Sequence, residues 1–146
     1  MTSYLVDTNV ISELAPGKAP PRQILDWLAA CEPDLFLSVI TPLEILTGIL
    51  KLGRQSPGRR HQAMLTWYQG LEINFSDRML PVSRDVTGFA AQIADAHAAR
   101  GLAPEWPDVI IAATARAHSM TLLTRNIRHF QAAGIPIIDP FTTLPE

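Results

Sequence analysis

The chain has 146 residues, with 47% hydrophobic and 18% charged side chains and a formal charge of −2. That length and composition predict one globular domain, residues 1–146, with a substantial core, and they exclude a disordered chain. The small net charge gives no global pull toward a polyanion, so any contact with nucleic acid has to come from a local basic patch. Cys31 is the only cysteine, which excludes an internal disulfide and a cysteine-based zinc site and fits a reducing cytoplasm. No charged start followed by a long apolar run is visible at the N-terminus. The longest apolar stretch, Val109 to Ala115, is far shorter than the roughly 20 residues a bilayer demands, so no membrane association is expected.

The first predicted strand, Tyr4–Val6, runs directly into Asp7 and a polar turn, Thr8-Asn9. Ile24, Trp27, Leu28 and Cys31 then recur at helical spacing. A second apolar run, Leu35–Val39, predicts a strand, followed by Thr41-Pro42-Leu43-Glu44. Here Thr41 has the chemistry of an N-cap, Pro42 of a first helical residue, and Glu44 completes a capping box. Strands are predicted again at Met79–Val82, Thr121–Thr124 and Ile135–Ile138. Val86, Phe89, Ala90, Ile93 and His97 mark a helix between them. Val109 to Ala117 is apolar on nearly all sides, the pattern of a helix buried in the interior. Alternating strands and helices predict an α/β fold, a three-layer α/β/α sandwich around a central parallel sheet.

Asp7, Glu44, Asp108 and the Thr124-Arg125-Asn126 segment each have a local explanation. Asp7 can cap a helix, Glu44 can close a capping box, and Asp108 can favour a helix dipole. Local explanations leave their shared position unexplained. Each lies at the end of a strand or the start of the next helix, and in a parallel sheet those ends share one edge. Carboxylates brought within about 5 Å repel by roughly 3 kcal/mol per pair at an effective dielectric near 20. Water, basic side chains or a cation must offset that. Oxygen ligands suit Mg²⁺ or Mn²⁺, and no His or Cys is expected to join them in a zinc site.

The segments Leu5-Val6-Asp7-Thr8-Asn9, Thr41-Pro42-Leu43-Glu44-Ile45 with Gly48, Pro107-Asp108 through Ala115, and Leu123-Thr124-Arg125-Asn126 with Phe130 occur in a recognisable order. The chain resembles a PIN-domain ribonuclease, of the VapC or FitB type of toxin found in bacterial type II toxin–antitoxin pairs. The resemblance covers essentially the whole chain. It implies Mg²⁺-dependent cleavage of RNA (with Mn²⁺ able to substitute), products bearing a 5′-phosphate and a 3′-hydroxyl, a homodimer, and a cognate antitoxin that blocks the site. Asp7, Glu44 and Asp108 match its catalytic and metal-binding acids. Thr8 and Thr124 match polar positions beside the metal and its waters. The fourth acidic position falls at Asn126, and the alternative position just before the Phe is His129. The expected consequence is weaker metal binding with one well-occupied ion.

RNA needs positive charge near the acidic edge. Arg125 and Arg128, beside Asn126, are the better-placed candidates, with Lys51, Arg54, Arg59, Arg60 and His61 as a second cluster. Trp106 is the aromatic residue placed to stack on a base, while Trp67 and Tyr68 suit packing against a partner chain. The main alternative is a non-catalytic nucleic-acid-binding relative in which Asn126 marks a decayed site. A phosphatase or phosphoacceptor using Asp7 as nucleophile is disfavoured, because Asn9 stands where a haloacid-type phosphatase has its second Asp.

Overall fold

A computed structural model describes residues 2–145. Its strands are β1 (Tyr4–Val6), β2 (Leu35–Ser38), β3 (Met79–Leu80), β4 (Thr121–Leu123) and β5 (Ile137–Ile138). Between them run α1 (Thr8–Ile11), α2 (Arg22–Ala30), α3 (Ile40–Gln55), α4 (Arg59–Asn74), α5 (Arg84–Ala99) and α6 (Trp106–Ala117). The sheet is parallel throughout in the order β3-β2-β1-β4-β5. The predicted α/β sandwich is therefore the observed one.

Alternation along β1 builds the two cores. Leu5 faces a cluster with Val86, Ile93, Ile111, Leu122 and Phe130, from α5, α6, β4 and the 3₁₀ segment Ile127–Ala133. Tyr4 and Val6 face the other side, packing with Ile24, Leu28, Ile45, Ile49 and Tyr68 from α2, α3 and α4. Cutting Ile111 or Leu122, both wholly buried, to Ala removes contacts worth about 2–5 kcal/mol. Helix α6 is buried at Val109 and at Ile111 through Ala115, as its continuous apolar sequence predicts. Ser83 caps α5 by accepting the Val86 N–H at 3.3 Å.

Four strands are shorter than predicted, β3 ending at Leu80 and β4 at Leu123, and for the other two the reason is definite. Val39 is already helical, with φ −59° and ψ −16°, because the Ser38 hydroxyl accepts the Ile40 N–H at 3.1 Å and starts α3. Ile135 and Pro136 stay outside β5, since Pro136 has no N–H to give the ladder and only its carbonyl accepts, from Leu122 N–H at 2.9 Å.

The strand order makes β1 the switch point: the chain goes to β2 on one side and returns to β4 on the other. A crevice at the carboxyl ends of β1 and β4 follows from that reversal. Among the described residues no helix is long and apolar enough to cross a membrane.

Candidate metal centre

Asp7 lies at that crevice. Its N–H continues the ladder to the Leu123 carbonyl at 2.9 Å, which fixes the residue at the tip of β1. One carboxylate oxygen, Oδ1, accepts the Thr8 N–H at 2.7 Å and caps α1. The other, Oδ2, accepts the Thr124 hydroxyl at 2.8 Å from the end of β4. The capping explanation of Asp7 is thus correct and incomplete. Thr124 in turn accepts the Asn126 N–H at 3.0 Å and the Asn9 side-chain amide at 3.3 Å.

Glu44 is held differently from the capping box expected of it. Helix α3 begins at Ile40, so Thr41 lies inside it and caps nothing. The Thr8 hydroxyl donates to Glu44 Oε1 at 2.8 Å and receives the Thr41 hydroxyl at 3.0 Å. Two threonines from different elements therefore tie α1 to α3 and bring Glu44 to the crevice.

Asp108 enters from the first turn of α6 and contacts His129 Nδ1 through Oδ2 at 2.9 Å. No histidine was expected to make a zinc site with these acids; one imidazole does stand beside Asp108. Glu105, Asp108 and His129 each offer a ligand atom within 4.8 Å of the others. The short 3₁₀ segment Ile127–Ala133 folds back over α6 and carries His129 there, a placement that sequence spacing does not encode.

These groups line an open cleft of about 460 Å³ that also receives Asn9, Ser12, Glu13 and Asn126. The acids expected from sequence, Asp7, Glu44 and Asp108, all face it, joined by Glu13 and Glu105. Sequence reasoning missed Glu105, although it directly precedes the Trp106-Pro107-Asp108 helix start, and missed Asn9, two positions after Asp7. Asn9 Oδ1 accepts the Arg125 N–H at 3.1 Å and pins the turn after β4.

Electrostatics favour a cation here. Burial pushes the Asp7 carboxyl up to about 6; the Thr124 hydrogen bond opposes this, and the negative charge of Asp108 and then Glu44 adds to it. Arg125 does not relieve that charge. Its guanidinium pairs with Glu13 at 2.9 Å and covers the Phe141 ring at 4.4 Å. Among the described residues no Lys or Arg pairs with Asp7, Glu44, Glu105 or Asp108. A buried carboxylate facing other acids, with no Lys or Arg paired to it among the described residues, is a donor set that could hold a divalent cation.

Of the other candidates, Trp106 is 54% exposed at the start of α6, beside the acids. Arg128 lines an adjoining cleft of about 450 Å³ with His97, Leu102, Glu105 and Asp108. Lys51 and Arg60 line a separate groove of about 410 Å³ with Ile45, Ile49, Met64 and Trp67, which ends at Thr8 and Glu44. Tyr68 is core rather than surface.

The comparisons with known proteins agree with this architecture. The PIN domain family matches residues 4–135. The chain is 35% identical over 140 residues to plasmid stability protein StbB of Pseudomonas syringae pv. tomato, covering 94% of this chain and 97% of that one. It is 34% identical over 140 residues to toxin FitB of Neisseria gonorrhoeae, with the same coverage. Identity to VapC ribonuclease Y4jK of Sinorhizobium fredii is 34% over 139 residues, 94% of this chain and 96% of the other. A solved structure of FitAB bound to the IR36 DNA fragment superposes with a TM-score of 0.83 at 34% identity, covering 98% of each chain. With four motifs in order, the acids at the switch point and a match over most of its length, the chain belongs to the PIN-domain family.

Proposed function

We propose that this protein, as a single PIN domain over residues 1–146, is a metal-dependent endoribonuclease toxin of a toxin–antitoxin pair. The observation that carries the reading is the convergence of Asp7, Glu44 and Asp108 on one cleft with, among the described residues, no Lys or Arg paired to them. The names of its relatives supply the substrate class and the toxin role: ribonuclease for one, toxin for another.

Asp7 and Asp108 are the residues to hold Mg²⁺, with Mn²⁺ able to replace it, because both carry carboxylates on the cleft. A divalent ion there supplies Lewis-acid stabilisation of a scissile phosphate and a bound water of lowered pKa. Thr124 holds Asp7 in one orientation, and Thr8 does the same for Glu44, so neither acid has to reorganise to meet a ligand. Glu44 directs either the cation or the attacking water. Asn126 touches Thr124, which holds Asp7, and His129, which contacts Asp108. Arg128 and Trp106 are placed to meet an RNA phosphate and base beside the acids, and Arg125 closes the wall through Glu13.

A cognate antitoxin is the proposed partner, in keeping with the pairing of FitA and FitB in the solved relative. The groove that ends at Glu44 gives such a partner a surface from which to block the site. Leu43 and Leu50, 60% and 62% exposed and seven residues apart on α3, support a homodimer. A cytoplasmic location is consistent with the free Cys31.

The test is incubation of antitoxin-free protein with total bacterial RNA, with Mg²⁺ or with EDTA. Metal-dependent fragments bearing 5′-phosphates, lost in Asp7→Asn, are expected. Tight RNA binding with no fragments under any metal contradicts the reading and leaves the non-catalytic alternative, which the amide at Asn126 favours.

A further inference from the structure

We propose that the cleft between the end of α5, the start of α6 and the 3₁₀ segment Ile127–Ala133 is a pocket for one unstacked base of the RNA substrate, and that the base it selects is guanine. The proposal rests on the ribonuclease reading above and deepens it. The acids set where a phosphodiester is cut, and this pocket sets which nucleotide lies beside the cut.

The cleft has the build of a ligand site. It holds about 450 Å³, within the roughly 300–1,000 Å³ of small-molecule sites. Its apolar lining comes from Leu102, Ala103 and Val109. Leu102 is 54% exposed, and a planar base laid against it removes that aliphatic surface from water. Asp108 lines both this pocket and the acidic cleft, so the two are continuous. A single strand with its phosphate at the acids brings an adjoining base to Leu102, and unstacked bases are the part of RNA that proteins read for sequence.

The polar groups choose the base. Arg128 is exposed, lines the pocket and forms no ion pair among the described residues, unlike Arg125, which Glu13 holds. Its fork of N–H donors is open to a ligand. His97 Nδ1 lies 2.8 Å from the Ile93 carbonyl. A carbonyl only accepts, so Nδ1 carries the proton, and Nε2 of the neutral ring is left as an acceptor. Glu105 adds a carboxylate to the same wall. A donor fork and a set of acceptors in one pocket match guanine, whose O6 and N7 accept side by side and whose N1–H and 2-amino group donate on the next edge. Adenine presents an amino donor where O6 stands, and neither pyrimidine has an N7. A phosphate would suit Arg128 alone and would set a second anion against Glu105.

The probe is a pool of single-stranded RNA of random sequence, cut in Mg²⁺ by antitoxin-free protein, with the 5′-phosphate ends sequenced. Guanine is expected to be enriched at one position beside the cut. Arg128→Lys keeps the charge and loses the fork, so the rate at guanine sites relative to other sites is expected to fall about tenfold. A guanine preference that survives in Arg128→Lys means that the guanidinium holds a phosphate only, and it overturns the proposal. No preference, or preference for another base, also overturns it and leaves the pocket to a side chain of a protein partner. A pool left uncut under any metal overturns the ribonuclease reading instead, and the pocket is then judged by binding. Larger shifts of the Leu102 methyl resonances with 5′-GMP than with 5′-AMP, lost in Arg128→Lys, keep the guanine pocket; equal or absent shifts overturn it as well.

Discussion

Asp7 is 4% exposed and both its carboxylate oxygens receive hydrogen bonds from the fold. Asp108, across the cleft, has a side chain 24% exposed and among the described residues hydrogen-bonds only to the ring of His129. The floor of the cleft is thus set by backbone: β1 delivers Asp7, β4 delivers Thr124, and their ladder fixes the distance between them. The rim is set by side chains from a helix start and a 3₁₀ turn, which can shift by a rotamer. A floor that cannot adjust and a rim that can are complementary demands on a site that must bind an ion and then admit a polymer. The floor preorganises charge, and the rim adapts to what that charge attracts.

Breaking either wall gives the largest effect. Asp7→Asn and Asp108→Asn should each reduce RNA cleavage by about a thousandfold or more, measured under saturating Mg²⁺. The two variants separate in stability. Asp108→Asn should leave the melting temperature of the metal-free protein nearly unchanged, whereas Asp7→Asn should raise it at pH 8.

That difference has a definite pH dependence. Asp7 titrates near 6 in the fold and near 3.8 unfolded, so the native state holds the proton more tightly. Its stabilising contribution is fully present below about pH 3.8 and is lost as pH rises through about 6. The loss is about 3 kcal/mol. Denaturant unfolding in EDTA at pH 5 and pH 8 reads it directly, and saturating Mn²⁺ should recover stability at pH 8. A metal-free protein whose Asp7→Asn variant shows the same slope between those pH values contradicts the assignment.

A smaller effect sharpens the role of the floor. Thr124→Val leaves Asp7 Oδ2 and the Asn126 N–H without their partner and should cost about 1–3 kcal/mol of stability. It should also weaken metal binding about 10- to 100-fold, because the acid loses its fixed orientation. Unchanged Mn²⁺ affinity in that variant would show that the hydroxyl is structural only. The smallest change is a gain. Asn126→Asp adds a charge near the rim and should tighten Mg²⁺ binding about tenfold. No change would place residue 126 outside the cation's field.

The floor was legible in the sequence and the rim only in part. Tyr4–Val6 and Thr121–Leu123 are short apolar runs with a polar residue at the end, and parallel pairing places such ends side by side. Asp7 and Thr124 follow from that rule. Glu44 was legible as a site residue, but its support was not. The Thr41-to-Glu44 spacing fits a capping box, yet Ser38 starts the helix at Ile40, two residues early, and frees Thr41 to bond Thr8. No local pattern distinguishes those outcomes, since both satisfy the same backbone groups. His129 was legible only as the residue before Phe130 where relatives carry an acid, its contact with Asp108 was not, and Glu105 was not legible at all. They reach Asp108 through a non-repeating turn and an irregular approach to α6, and neither has a periodicity to read. Arg125 was legible in the same partial way. Its neighbour Asn126 suggested an RNA contact; what the sequence did not show is that its guanidinium pairs with Glu13 of the cleft and covers the Phe141 ring.

The central claim is that Asp7, Glu44 and Asp108 converge to hold a divalent cation, and calorimetric titration of antitoxin-free protein with Mn²⁺ tests it without knowledge of the RNA. Saturable binding in the wild type, abolished in Asp108→Asn with the fold intact, is the result predicted. Equal heats in the two proteins up to millimolar Mn²⁺ would contradict it.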